Sequence, residues 1–123
     1  MKTIKPKHQF EIPKDYTGIA EFSGCSKYWH LNGKIHREDG PACEYANGDK
    51  AWYLNGKCHR ENGPAVEYVN GGKEWWLNGK QHRLDGPAVE WYNGYKAYVI
   101  NGKEVTKEAQ EVLYAMYKLK GII

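Results

Sequence analysis

Long apolar runs are missing from this 123-residue chain. No stretch approaches the roughly 20 residues of a membrane-spanning helix, and the lysines after Met1 lead into no apolar segment of the kind a secretory leader carries. A cytoplasmic protein without a membrane partner is the expectation. Cysteine is scarce too: Cys25, Cys43 and Cys58 form an odd set without C-x-x-C spacing, which points away from a closed disulfide framework and from a zinc knuckle. A concentration of one charge sign is absent from most of the chain. Lys2, Lys5, Lys7 and Lys14 against Glu11 account for the whole formal net charge of +3, and the residues after them sum to zero. Without clustered Lys and Arg to neutralise a phosphate backbone, no nucleic-acid partner is expected. Neither G-x-x-x-x-G-K-S/T nor G-x-G-x-x-G follows a strand-like segment, and no serine stands in a nucleophile elbow. The expectation is a protein with no cofactor, no metal and no catalytic residue.

What the chain does have is a repeat. The block H-R-x-(D/N)-G-P-A stands at His36–Ala42, His59–Ala65 and His82–Ala88, with Gly40, Gly63 and Gly86 spaced 23 residues apart. A second block, K-x-(W/Y)-x-(L/I)-N-G-K, keeps the same register at Lys27–Lys34, Lys50–Lys57, Lys73–Lys80 and Lys96–Lys103. Four units are visible. A degraded start at Gly18–Phe22 and the replacement of His-Arg by Glu104-Val105 have the look of terminal caps.

Each unit carries two Asn-Gly steps, the strongest short-range hairpin signal, because both central residues of such a turn take positive φ. Asn32-Gly33, Asn55-Gly56, Asn78-Gly79 and Asn101-Gly102 are one set. Asn47-Gly48, Asn70-Gly71 and Asn93-Gly94 are the other. Ten Tyr, five Trp and fourteen Gly suit strands and tight turns. The pattern predicts a mainly β, single-domain antiparallel β-meander of about four 23-residue hairpin repeats with a C-terminal α-helix. Residues 1–16 would be a basic N-terminal arm or edge strand, 17–105 the repeat sheet, and 106–123 an amphipathic helix and tail. Thr106 suits the helix N-cap, Gly121 its end, and Ala109, Val112, Leu113 and Met116 give an apolar stripe at i, i+3, i+4 and i+7. That helix is expected to cover part of the sheet or to plug its end.

Strand alternation puts Lys73, Trp75 and Leu77 on one face and Glu74 and Trp76 on the other. Trp29, Trp52, Trp75 and Tyr98, with Leu31, Leu54, Leu77 and Ile100, are predicted to stack as an apolar spine. The opposite face varies from unit to unit.

The recurring His, Arg and carboxylate could in principle serve acid–base or metal chemistry. Asn62 stands where the neighbouring units have Asp39 and Asp85, which suggests instead that an oxygen acceptor is needed for an Asx-type turn. His36, His59 and His82 are read as ordinary packed or exposed histidines. Arg37, Arg60 and Arg83 are expected to pair with Glu44, Glu67 and Glu90 in a surface ladder of small energetic weight. Cys43 and Cys58 read as small apolar substitutions.

The unit resembles MORN-like β-hairpin repeats. It is more closely similar to the short N-G-K-x-H-R-x-D-G-P-A repeats of small proteins from tailed phages and large DNA viruses, matching at Asn32–Ala42, Asn55–Ala65 and Asn78–Ala88. The likeness spans roughly residues 17–103. The H-R-x-D-G-P-A core is not that of standard MORN units, and their lipid binding is not carried over. The resemblance implies a sheet-like interaction scaffold, acting in the host cytoplasm if the source is viral.

If repeated positions build the scaffold, function belongs where units differ. Tyr28, His30, Tyr53 and Trp76 form the candidate contact surface for a protein partner, aromatics being strong interface residues. The expected function is a non-catalytic interaction module, a phage-type accessory protein that binds and inhibits a host protein. A second reading is a small-molecule sponge, with Arg37, Arg60 and Arg83 contacting a nucleotide-like anion. A third is a self-assembling scaffold, a homodimer joined through an edge strand.

Overall fold

The computed structural model describes residues 1–24 and 26–123; Cys25 lies outside the described residues. In chain order the first strands are β1 (Thr3–Ile4), β2 (Gly18–Glu21), β3 (Lys27–Leu31), β4 (Lys34–Ile35), β5 (Cys43–Glu44), β6 (Lys50–Ala51), β7 (Tyr53–Leu54) and β8 (Lys57–Cys58). They are followed by β9 (Val66–Glu67), β10 (Lys73–Glu74), β11 (Trp76–Leu77), β12 (Lys80–Gln81), β13 (Val89–Glu90), β14 (Lys96–Ile100), β15 (Lys103–Val105) and helix α1 (Lys107–Leu119). The protein is thus mainly β with one C-terminal helix.

The two sets of Asn-Gly steps fold differently. Asn32, Asn55, Asn78 and Asn101 all sit at φ near 50°, and the glycines after them near 80°. This is the doubly left-handed turn that twists with its strands. In the other set only the glycine is left-handed, at φ 99°, 98° and 89° for Gly48, Gly71 and Gly94. There the amide of Gly48 donates to the Tyr45 carbonyl and that of Tyr45 to the Asp49 carbonyl, both at 2.9 Å. These are longer turns closed by a glycine bulge. Their asparagines act through side chains, with Asn47, Asn70 and Asn93 accepting from the amide two residues on.

The main sheet runs β1-β2-β3-β5-β6-β9-β10-β13-β14-β15, antiparallel throughout except for the parallel pair β1–β2. The meander is not made of unbroken strands. In the two middle units the chain turns at Trp52 and Trp75, so that β7–β8 and β11–β12 form separate two-stranded ladders. The tryptophan backbone is the switch. The Trp52 amide donates into the main sheet, to the Ala65 carbonyl at 2.7 Å, while its carbonyl accepts from the His59 amide of the hairpin at 2.9 Å. Trp75 repeats this with Ala88 and His82.

The hairpins stack on one another. Gly56, Gly79 and Gly102 donate their amides to the carbonyls of Ile35, Cys58 and Gln81, one unit back, at 2.8–2.9 Å. Alongside, the amides of Asn55, Asn78 and Asn101 donate to Nδ1 of His36, His59 and His82, each at 2.9 Å. In the first unit, which has no predecessor, Tyr16 and Thr17 do this work. The Tyr16 carbonyl accepts from Gly33, and Thr17 Oγ1 from Asn32. Tyr16 is itself buried, and the single hydrogen of its hydroxyl is shared between the Ile19 and Lys2 carbonyls at 2.9 and 3.1 Å, fastening β1 to the edge of the sheet.

The most deeply buried side chains are small: Ala20, Ala42, Ala65 and Ala88 are all 0% exposed. Around them lie Cys43, Ala51, Cys58, Val89, Ala97 and Val99. The expected W-x-L spine is not this core. Trp29, Trp52 and Trp75 are half-buried, and Leu31 is exposed.

Helix α1 begins where expected, with Thr106 Oγ1 accepting from the Ala109 amide at 3.1 Å, and it ends in left-handed Gly121. Its buried stripe is not the apolar one. Gln110 is buried and donates from Nε2 to the carbonyls of Arg83 (2.7 Å) and Gly86 (2.6 Å). Tyr114 and Tyr98 share a hollow with it, so the helix closes the last unit on the Trp face. Val112 and Met116 are left exposed. Open carbonyls at the end of a repeat array select an amide donor, which apolar periodicity does not register.

Candidate functional site

Cross-strand register sorts the sheet into two unlike faces. On one, facing positions run Glu21, Lys27, Glu44, Lys50, Glu67, Lys73, Glu90 and Lys96, alternating in sign across every pair of strands. Opposite charges placed directly across strands favour this register over its slips. The ladder was open to sequence reasoning, since Lys of K-x-W and Glu of A-x-E both recur with the repeat. Strand pairing was needed to see them face each other.

The same face carries Trp29, Trp52 and Trp75, each covered by the arginine of its own unit. The guanidinium carbons of Arg37, Arg60 and Arg83 lie 4.1, 3.9 and 3.8 Å from the ring centroids of Trp29, Trp52 and Trp75. The rings therefore hold arginines instead of stacking on each other. Nη1 of each arginine donates to the carbonyl of Pro41, Pro64 or Pro87 at 3.0–3.1 Å. The glycine of D-G-P makes the space, because a Cβ on Gly86 would come within 2.8 Å of the Arg83 guanidinium. Carboxylates complete the arrangement unevenly. Arg37 reaches Asp39 and Glu44 at 3.0 and 3.5 Å, Arg60 reaches Glu67 at 3.1 Å, and Arg83 reaches Asp85 at 3.2 Å. Asp39 and Asp85 accept from arginine Nε, a different task from the Asx turn expected of them. The expected pairing with Glu44, Glu67 and Glu90 forms at the first two.

The histidines of the repeat likewise serve the array, with Nδ1 held as an acceptor for the next hairpin. Burial lowers the pKa of His82, which keeps the accepting, neutral form. Among the described residues no group of three or more His, Cys, Asp or Glu side chains could hold a metal ion.

The other face runs Ala20, Tyr28, Cys43, Ala51, Val66, Glu74, Val89 and Ala97. In the hairpins it continues with the pairs His30–Ile35, Tyr53–Cys58 and Trp76–Gln81. This face holds an open groove of about 760 Å³ whose walls include Tyr45, Tyr53, Tyr68 and Trp76. Tyr53 and Trp76, both singled out in the sequence, therefore meet. Tyr28 stands beside the groove, edge-on to Phe22 and Tyr45 at 5.5 and 5.8 Å. His30 does not join them at the surface. It is buried against Tyr16 (5.9 Å), its Nδ1 is 3.2 Å from the Tyr28 carbonyl, and burial lowers its pKa. Arg37, Arg60 and Arg83 belong to the opposite face.

Glu74 is the residue that sequence reasoning passed over. It stands where the other units have Tyr28, Ala51 and Ala97, and it is the one charged side chain in its row. It is 9% exposed, on the groove floor. Oε2 accepts from the Tyr68 hydroxyl at 2.8 Å; Oε1 accepts from Trp76 Nε1 at 2.9 Å and from Gln81 Nε2 at 3.5 Å. Burial and this carboxylate together push the Tyr68 hydroxyl up to about 12. The signal in the sequence is a carboxylate at a strand position that is uncharged in the other units. Burial also pushes the thiols of Cys43 and Cys58 up to about 11 and 12, so both are protonated and unreactive near neutral pH.

Among the described residues no helix is long and apolar enough to cross a membrane. Neither a family model, nor a curated protein, nor a solved structure matches the chain.

Proposed function

We propose that the protein is a non-catalytic interaction module that captures a partner protein through the aromatic groove around Tyr53 and Trp76. The observation that supports this most is the division of labour between the faces. Repeated side chains satisfy each other on the Trp face, while on the other the unit-specific Tyr53 and Trp76 join the repeated Tyr45 and Tyr68 around an open groove. Trp and Tyr with polar atoms in reach are the side chains on which interface energy concentrates. The resemblance to phage and viral repeat proteins adds the expectation that the partner is a host protein held inactive. The sponge reading would draw on arginines that are already stacked on tryptophan and bonded to carbonyls and carboxylates.

The test is affinity capture from bacterial lysate by the tagged protein, by Tyr53→Ala and by Lys50→Ala. One stoichiometric protein held by the parent and by Lys50→Ala, and lost with Tyr53→Ala, is the expected result. Equal capture by all three counts against the groove.

A further inference from the structure

Glu74 introduces a charge into a row that is otherwise uncharged, and it does so where four aromatic side chains converge. Among the described residues it takes part in no ion pair, and no Lys or Arg lines its groove. On the opposite face the ladder lysines Lys27, Lys50, Lys73 and Lys96 each stand across from a glutamate, and Arg37, Arg60 and Arg83 each reach a carboxylate. This carboxylate has only neutral donors: a phenol, an indole and an amide. Three neutral hydrogen bonds orient a carboxylate but leave its charge uncompensated in a site largely removed from water.

We infer that the groove is a receptor for the ammonium group of a lysine side chain presented by the partner, with Glu74 as counter-ion and Tyr45, Tyr53, Tyr68 and Trp76 as its aromatic walls. This rests on the protein-capture reading of the same groove and makes it specific. Aromatic rings attract cations through the negative potential of their faces, and a carboxylate at the base of the site adds a direct charge pair. The donor pattern favours ammonium over guanidinium. Oε1 already takes two donors and Oε2 one, so the two equivalent acceptor positions that a bidentate arginine fork needs are not both free. An ammonium group needs only one. An extended aliphatic stem would lie along the apolar walls on its way in.

The indole N–H of Trp76 donates to Glu74, which makes it a built-in reporter. The experiment is a titration of the intact protein with capped Gly-Lys-Gly and capped Gly-norleucine-Gly, following the Trp76 indole N–H resonance. The lysine peptide is expected to shift this signal in a saturable, salt-sensitive manner and to bind about tenfold or more tightly than its norleucine isostere. Glu74→Gln is expected to abolish the difference. Equal binding of the two peptides to the parent overturns the cation site while leaving the groove as a docking surface, as would a lysine preference that survives Glu74→Gln. No shift with either peptide overturns the inference as well. Partner capture by the parent that is lost in Tyr53→Ala speaks separately to the underlying reading. The norleucine control needs no variant, so the test stands even if Glu74→Gln folds poorly.

Discussion

Trp75 and Trp76 are neighbours in sequence and face opposite ways, and the difference between them organises the whole molecule. Trp75 recurs in every unit as Trp or Tyr, is half-buried, and carries Arg83 at 3.8 Å. Trp76 has Tyr53 as its counterpart one unit back and points its indole N–H at a carboxylate that no other unit possesses. The first is a joint in a lattice of equivalent contacts. The second belongs to one place only. The Trp face fixes register unit by unit through backbone pairing, Arg-on-Trp packing and alternating charge, while the varying face keeps a small buried core of Ala20, Cys43, Ala51, Val89 and Ala97 around its one groove.

The comparison can be broken most forcefully on the repeated side. Trp52→Ala removes the ring beneath Arg60 in the central unit and leaves that guanidinium without its platform. A loss of about 2–4 kcal/mol is expected, read as a lowered urea midpoint. Tyr53→Ala, one residue on, should cost markedly less stability while removing partner capture.

Acidification should weaken the stack next. His82 accepts the Asn101 amide hydrogen at Nδ1, which protonation forbids. For His82 the folded state lowers the pKa through burial. The unfolded chain therefore takes up the proton first, and stability is full above the ordinary imidazole range near pH 6.5 and falls as the pH drops through it. His30, lowered by its own burial, acts in the same direction. A loss on the order of 1 kcal/mol from the His82 bond is expected between pH 7.5 and 5. His82→Gln should flatten the profile.

A finer distinction separates the two turn sets. Asn55→Ala puts a residue that lacks asparagine's tolerance of the left-handed region at a φ near 51°, at a cost of about 1–2 kcal/mol. Asn70→Ala loses only a side-chain bond to the Gly72 amide, worth about 0.5–1.5 kcal/mol. The smallest effect should come from the charge ladder. Lys50→Glu places three like charges in a row with Glu44 and Glu67. It should lower stability by about 0.5 kcal/mol, less at high salt.

Much of this architecture was legible in the sequence because a repeat states its geometry several times. The Asn-Gly hairpins, the two-faced strands and the helix from Thr106 all followed from local patterns. Contacts beyond the hairpins did not. Nothing in H-R-x-D says that His36 accepts from Asn55, nineteen residues on, or that Arg37 turns back onto Trp29. The helix was misread for a related reason: its docking is decided by unfilled carbonyls at Arg83 and Gly86, so a glutamine is buried while Val112 and Met116 stay outside. Tyr53 and Trp76 could be chosen as departures from the repeat, but that they line one groove with Glu74 depends on how the strands pair and turn. His30 looks equivalent to them in sequence but is buried, with Tyr16 packed against its ring.

The most direct test takes the two adjacent tryptophans in parallel, comparing the unfolding midpoints and partner capture of Trp75→Ala and Trp76→Ala with those of the parent. Trp75→Ala is expected to be much the less stable, with whatever remains folded still competent to bind. Trp76→Ala is expected to stay close to the parent in stability and to lose capture. Equal losses of stability with capture intact in both would contradict the assignment of scaffold to one face and recognition to the other.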